Sequence, residues 1–161
     1  VSRADGNGDY DKITLDVTRS QPLPYSLMLT AGISAQISDK ALFSGEEFGY
    51  GGANYGKAYD SSEITGDNGI SGKIELSYQS GIQIPTVQNI SPYIFYDIAQ
   101  IYDRANDKSS AASAGFGIRI NFLEKMSGLL EWAKPLTREV NANVPDNGKK
   151  ARVFFSITGR I

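Results

Sequence analysis

Tyr25–Ser38 reads YSLMLTAGISAQIS. In an extended chain Tyr25, Leu27, Leu29, Ala31, Ile33, Ala35 and Ile37 share one side. Ser26, Met28, Thr30, Gly32, Ser34, Gln36 and Ser38 take the other. Alternation with a period of two marks a β-strand. The run is longer than the usual globular strand of about 5–6 residues, and it is long enough for a tilted strand to cross a bilayer, which takes about 9–11 residues. It therefore favours a membrane barrel over a soluble sandwich.

The same pattern extends in both directions. Upstream, Ile13, Leu15 and Val17 oppose Thr14, Asp16 and Thr18, and Pro22 and Pro24 mark a turn because neither can donate to a β-ladder. Downstream, Ile70, Gly72, Ile74, Leu76 and Tyr78 oppose Ser71, Lys73, Glu75, Ser77 and Gln79. A strand is expected at Pro92–Asp103, with Ile94, Tyr96 and Ile98 against Phe95, Asp97 and Ala99. Another is expected at Ser113–Phe122, where Ala114, Phe116, Ile118, Ile120 and Phe122 face out and Gly115, Gly117, Arg119 and Asn121 face in. Gly128–Ala133 follows, with Leu130 and Trp132 opposing Leu129 and Glu131, and Pro135 ends it. In Ala151–Ile161, Val153, Phe155, Ile157, Gly159 and Ile161 oppose Phe154, Ser156, Thr158 and Arg160. The reading is all-β, with seven strands and no segment of helical period.

In each strand one face is aliphatic and aromatic, and the other is small and polar with isolated charges. From the Leu42–Gly69 segment onward the connections run roughly long, short, long, short, long. Outer-membrane barrels combine these features, with short periplasmic turns and longer extracellular loops. Trp132, Tyr25, Tyr78, Tyr102 and Phe122 lie near strand ends or on outer faces, as aromatic girdles would. A soluble β-sandwich binding module would produce the same alternation with its burial reversed, and alternation alone leaves both open.

Composition narrows the function classes. Sixteen basic against 18 acidic residues give a net charge of −2, without the basic excess of a nucleic-acid footprint. The absence of cysteine and histidine removes thiolate and imidazole metal ligands and the commonest general base. No catalytic constellation, metal site or cofactor is expected, and the chain does not read as an enzyme.

Between the strands lies Leu42–Gly69, LFSGEEFGYGGANYGKAYDSSEITGDNG. Loops of this length are usually functional or disordered. Phe43, Phe48, Tyr50, Tyr55 and Tyr59 argue against disorder, since aromatics are expensive to leave in water. The loop is expected to fold back into a cavity made by the surrounding strands. Gly49, Gly51, Gly52 and Gly56 would permit positive φ and close backbone approach there. A phosphate-cradling loop would need a following Lys-Ser/Thr and a helix, and both are missing. Asp60, Glu63, Asp67 and Asn68 lack EF-hand spacing.

The run FSGEEFGYGGANYGKAYD at Phe43–Asp60 resembles the lumen-inserted loop of two-partner secretion transporters, the hemolysin secretion/activation family. There the loop reads like GEQF-x-x-GG-x-N-S-V-R-G-Y-D. Gly45, Glu46, Phe48, Gly51, Gly52, Asn54, Tyr59 and Asp60 match, whereas Gly56-Lys57-Ala58 stand in place of Val-Arg-Gly. SPYIFYDIAQIYD at Ser91–Asp103 is similar to the family's Phe-x-Asp-x-Gly strand, here Phe95, Asp97 and Ala99. SAGFGIRINF, WAKPLTR and RVFFSITGRI also resemble family segments in the expected order.

The resemblance implies a barrel of about 16 strands in the bacterial outer membrane that exports a partner exoprotein of hemolysin, adhesin or toxin type in unfolded form. It also implies periplasmic POTRA domains that capture the substrate. On this reading residues 1–161 are the C-terminal part of the barrel, with 42–69 inserted in the lumen and the POTRA domains and first strands outside the chain. The partners implied are the exoprotein, outer-membrane lipid and, during biogenesis, the barrel assembly machinery; nucleic acid is not among them. In the family the loop arginine is held by acidic residues of the inner wall. By position Lys57 would pair with Asp97, with Glu75 as a second candidate. Phe155, Ile157, Gly159 and Ile161 of the last strand resemble the assembly signal. Related barrels of insertases or patatin-type autotransporters are the nearest alternatives.

Overall fold

The structure is a computed structural model that describes residues 6, 8–82, 84–103, 108–122, 125–137 and 150–159. Among the described residues nine strands form: β1 (Lys12–Leu23), β2 (Leu27–Ser38), β3 (Phe48–Tyr50), β4 (Ile64–Gly66), β5 (Asn68–Tyr78), β6 (Val87–Tyr102), β7 (Lys108–Phe122), β8 (Met126–Pro135) and β9 (Arg152–Gly159). Seven of them make one antiparallel sheet in the order β1-β2-β5-β6-β7-β8-β9, and β3 and β4 make a separate hairpin. Each long strand pairs with its neighbour in the chain, apart from the excursion that carries β3 and β4. Among the described residues no helix is long and apolar enough to cross a membrane, which says nothing of a strand-built barrel.

The strands outrun the sequence reading at several ends. β1 continues through Pro22, which is paired with Met28 one residue before the end of the strand. The reversal comes at Pro24–Ser26 instead, with Tyr25 at φ 62 and Ser26 at φ 59. Tyr25 is thus a turn residue, not the first residue of the apolar face. β7 begins at Lys108 rather than Ser113, and β6 at Val87 rather than Pro92. The β6–β7 connection at 103–107 is consequently shorter than the β5–β6 connection at 79–86, contrary to the expected alternation of lengths. The long loop has secondary structure of its own, because Phe48–Tyr50 pairs with Ile64–Gly66. Most of the polar segment between β8 and β9, and Ile161, lie outside the described residues.

Period-two alternation dictates two unlike faces, and burial distinguishes them. On β6 the pattern is strict: Tyr93, Phe95, Asp97, Ala99 and Ile101 are buried, and Ile94, Tyr96, Ile98 and Tyr102 are exposed. Across the sheet the exposed set includes Ile13, Leu15, Val17, Ile33, Ile74, Phe116, Leu130, Val153, Phe155 and Ile157. The polar face is the one covered. Asp97 is 1% exposed and Ser71 2%, while Phe155 is 80% exposed. Contiguous apolar surface of this kind marks a membrane or partner interface. A sandwich would bury this face, so the soluble-module alternative does not fit. The cover is the long loop: Phe48, Tyr50, Ala58, Tyr59 and Ile64 pack with Tyr93, Phe95, Ala99, Ile101, Ala111 and Ala133 of the sheet.

The exposed apolar surface also carries aromatics near the strand ends. Tyr78 and Phe122 lie towards one edge of the sheet and Tyr102 towards the other. Trp132 sits in mid-strand, stacked on Phe116 with centroids 5.3 Å apart.

Candidate functional site: the docked loop

The loop folds by bonding to itself before it bonds to the sheet. Tyr59 N–H donates to Gly56 O (2.8 Å), Gly51 N–H to Tyr55 O (3.1 Å) and Gly52 N–H to Tyr59 O (3.1 Å). These bonds close a compact knuckle at Gly51–Asp60. At Gly51 φ is +126, and a Cβ there would stand 2.0 Å from Asp60 O. Only glycine fits that position. Tyr50 and Tyr59 pack with ring centroids 5.7 Å apart beneath the knuckle. Burial, and then the charge of Asp97, push the Tyr50 phenol well above its ordinary pKa, so Tyr50 stays protonated.

The Gly56–Lys57 tip of the knuckle meets the polar face at three strands. Asp97 on β6 receives it through the backbone: its Oδ2 accepts from Gly56 N–H (3.2 Å), Lys57 N–H (3.1 Å) and Ser113 Oγ (3.3 Å). The Lys57 ammonium goes elsewhere. Its Nζ lies 3.0 Å from Glu75 Oε2 on β5 and 3.6 Å from Glu131 Oε2 on β8. Lys57 therefore adjoins both sequence-nominated carboxylates in different ways: Asp97 holds its main chain, and Glu75 holds its charge.

Beneath the ammonium is an aromatic shelf. Nζ stands 4.2 Å from the Phe95 ring centroid and 5.0 Å from that of Tyr93. Contacts of this type contribute about 0.5–2 kcal/mol, more when desolvated. Tyr93 Oη donates to Glu131 Oε2 at 2.5 Å. The Tyr93 ring can lie flat across β7 because Gly117 is its neighbour there, where a Cβ would come within 2.5 Å of the ring. Arg119 on β7 completes the cluster: its guanidinium grips Glu75 with both nitrogens (2.7 and 2.9 Å) and stacks 3.8 Å from the Tyr93 ring centroid.

Two cations thus face Glu75 and Glu131, while the third carboxylate, Asp97, takes its N–H and O–H donors on Oδ2 alone; its Oδ1 is buried with no hydrogen-bond partner among the described residues. Buried carboxylates are tolerable only when paired and hydrogen-bonded. A polar cavity of about 250 Å³ opens beside the cluster, lined by Thr30, Asn54, Lys57, Lys73, Glu75, Asp97 and Arg119 among others.

The remaining nominated residues divide as follows. Tyr59 is buried and donates through Oη to Ala112 O at 3.2 Å. Asp60 bonds Arg152 of β9 at 2.6 Å. Asn54 is exposed at the cavity wall. Gly52 adopts positive φ within the knuckle. Phe95 forms the shelf, and Ala99 packs in the core under the loop. Phe155, Ile157 and Gly159 lie exposed on β9. Arg119, Glu131, Tyr93 and Arg152 were not nominated from the sequence. The signal that could have found them is inward orientation: each falls on the polar face by alternation, and three carry charge where most neighbours are small.

Residues 2–120 match the family model described as haemolysin secretion/activation protein ShlB/FhaC/HecB. The chain belongs to that family. Among curated proteins it is 27% identical over 105 residues to the outer membrane transporter CdiB of Dickeya dadantii (strain 3937), a match covering 65% of this chain and 19% of the relative. Among solved structures it superposes on CdiB from Escherichia coli with a TM-score of 0.80 at 18% identity, covering 98% of this chain and 29% of that one. The chain spans about a fifth of the length of the curated relative it matches.

Membership in the haemolysin secretion/activation family puts the chain in the outer membrane and agrees with an apolar face turned outward.

Proposed function

We propose that this chain is part of the outer-membrane barrel of a two-partner secretion transporter, which moves a secreted partner protein across the membrane without covalent chemistry. The loop Leu42–Gly69 occupies the lumen and is locked to the inner wall by Lys57. The supporting observation is the double hold on the loop tip: Asp97 takes the Gly56 and Lys57 N–H groups, while Glu75 and Glu131 take the Lys57 ammonium. A loop merely lying on a sheet would not bury a lysine between two carboxylates and two aromatic rings.

The arrangement has a mechanical consequence. An ion pair at about 3 Å in a partly wet lumen is strong enough to bias the loop towards one position and weak enough to exchange. The lock thus sets how often the lumen is obstructed during export. Lysine is a point charge and lacks the bidentate fork of arginine, and here it compensates by contacting two carboxylates at once.

The test uses the full-length transporter and its partner in an outer-membrane secretion assay. Lys57→Met should reduce secretion, and Lys57→Arg should retain it, since the fork can reach Glu75 and Glu131 together. Undiminished secretion by a correctly assembled Lys57→Met transporter would refute the lock.

A further inference from the structure

The loop is also tied to β9, at a point that the lock does not involve. Arg152, the first residue of β9, donates from Nη2 to Asp60 Oδ1 at 2.6 Å and from Nη1 to Ala58 O at 3.4 Å. Its guanidinium carbon stands 5.3 Å from the Phe154 ring centroid, so the fork is braced by its own strand. Alternation puts Arg152 on the polar face, in register with Ala133 of β8, which the loop buries completely. Asp60 is fixed from its other side as well, because its N–H donates to Glu63 Oε2 at 2.8 Å.

Lys57 and Asp60 lie three residues apart and pull in different directions across the wall. Lys57 is held over β5 and β8, Tyr59 is bonded to β7 through Ala112 O, and Asp60 is held by β9. Among the described strands β9 pairs with β8 alone. The Asp60–Arg152 pair is thus a tie by which the loop restrains β9, and by which β9 restrains the loop.

We infer that Arg152 is a second positioning residue for the loop, tying Asp60 to β9 so that the loop tip and β9 move together and the loop stays docked. This deepens the transporter reading and rests on it, but its test reads the loop directly and needs no exported partner.

The experiment places a reporter thiol at Ala133→Cys, under the loop, in the full-length transporter in its native membrane. Residues 1–161 contain no cysteine, and any cysteine elsewhere in the full-length transporter is first replaced by serine. Labelling by a bulky maleimide then reports loop release. Arg152→Ala and Asp60→Ala should each raise the labelling rate about 2–5-fold, the range set by a partly exposed ion pair. The double variant should rise no further than either single, and the swap Asp60→Arg with Arg152→Asp should return towards the parent rate.

Heat-modifiable migration checks that each barrel is assembled; where Arg152→Ala fails to assemble, Arg152→Gln serves in its place. Unchanged labelling in an assembled Arg152 variant, or additive singles, would overturn the tie. If labelling behaves as expected while export proves unaffected by Lys57→Met, the tie stands and the export lock falls.

Discussion

The Lys57 ammonium stands 3.0 Å from Glu75, while Asp97 meets the same residue through its backbone N–H at 3.1 Å. The two carboxylates therefore do different work, and substitutions should separate them.

At Glu75, substitution by Gln removes the charge shared by Lys57 and Arg119. Breaking one side of a buried ionic cluster costs about 3–5 kcal/mol; the partial exposure of Arg119 brings the expectation to the low end of that range or below. The thermal midpoint of barrel unfolding, read by heat-modifiable migration, should drop, and the loop should become accessible to protease.

At Asp97, the charge matters less than the acceptor geometry. Asp97→Asn keeps one carbonyl oxygen for the Gly56 and Lys57 N–H groups and should be the mildest change. Asp97→Leu orphans both donors at about 1–3 kcal/mol each. Pairing Asp97→Lys with Lys57→Glu should give no rescue of loop docking or secretion, because no side-chain ion pair joins these positions in the structure. Rescue by that pair would contradict the observed division of roles.

Among the described residues Tyr50 Oη is buried without a hydrogen bond of normal geometry, although the Ser113 hydroxyl acts on it electrostatically. Removing an unsatisfied hydroxyl while keeping the ring should be neutral or stabilising. Tyr50→Phe is expected to leave the unfolding midpoint unchanged or raise it slightly, whereas Tyr50→Ala, which empties a fully buried site, should lower it through a stability loss of about 3–5 kcal/mol. A clear loss of stability in Tyr50→Phe would mean that the hydroxyl is bonded after all.

Gly51 and Gly45 belong to the same loop but should respond oppositely to alanine. A Cβ at Gly51 meets Asp60 O at 2.0 Å and φ is +126, whereas a Cβ at Gly45 meets nothing within 4 Å. Gly51→Ala should release the knuckle, with a strain of about 1–3 kcal/mol before any clash. Gly45→Ala should be silent in protease accessibility.

The two faces should differ in their tolerance of charge. Ile98→Lys on the outward face of β6 should cost about 2–4 kcal/mol near mid-membrane and impair assembly. Thr30→Lys on the polar face should assemble normally. Equal tolerance at both positions would overturn the orientation assigned to the sheet.

Much of this fold was legible without coordinates because a strand's side chains alternate with a period of two, and seven such runs fix seven strands and their two faces. The sequence misplaced the ends. Pro22 belongs to β1 and Tyr25 to a turn, because the ladder runs to Leu23 and two non-glycine residues adopt positive φ at the reversal.

The site was half legible. Lys57, Glu75 and Asp97 could be nominated from position and face. Their division of labour could not, because it depends on cross-strand register and on where the knuckle sets Nζ. Register brings Phe95 beside Glu75, and Gly117 between Tyr93 and Glu131, so residues far apart in the chain converge under one ammonium. Period-two alternation acts between neighbouring residues, and it settled the strands and which side each residue takes. Pairing and docking act across the sheet, so only the tertiary structure decided which face is buried, which carboxylate holds Lys57, and that Arg152 reaches the loop.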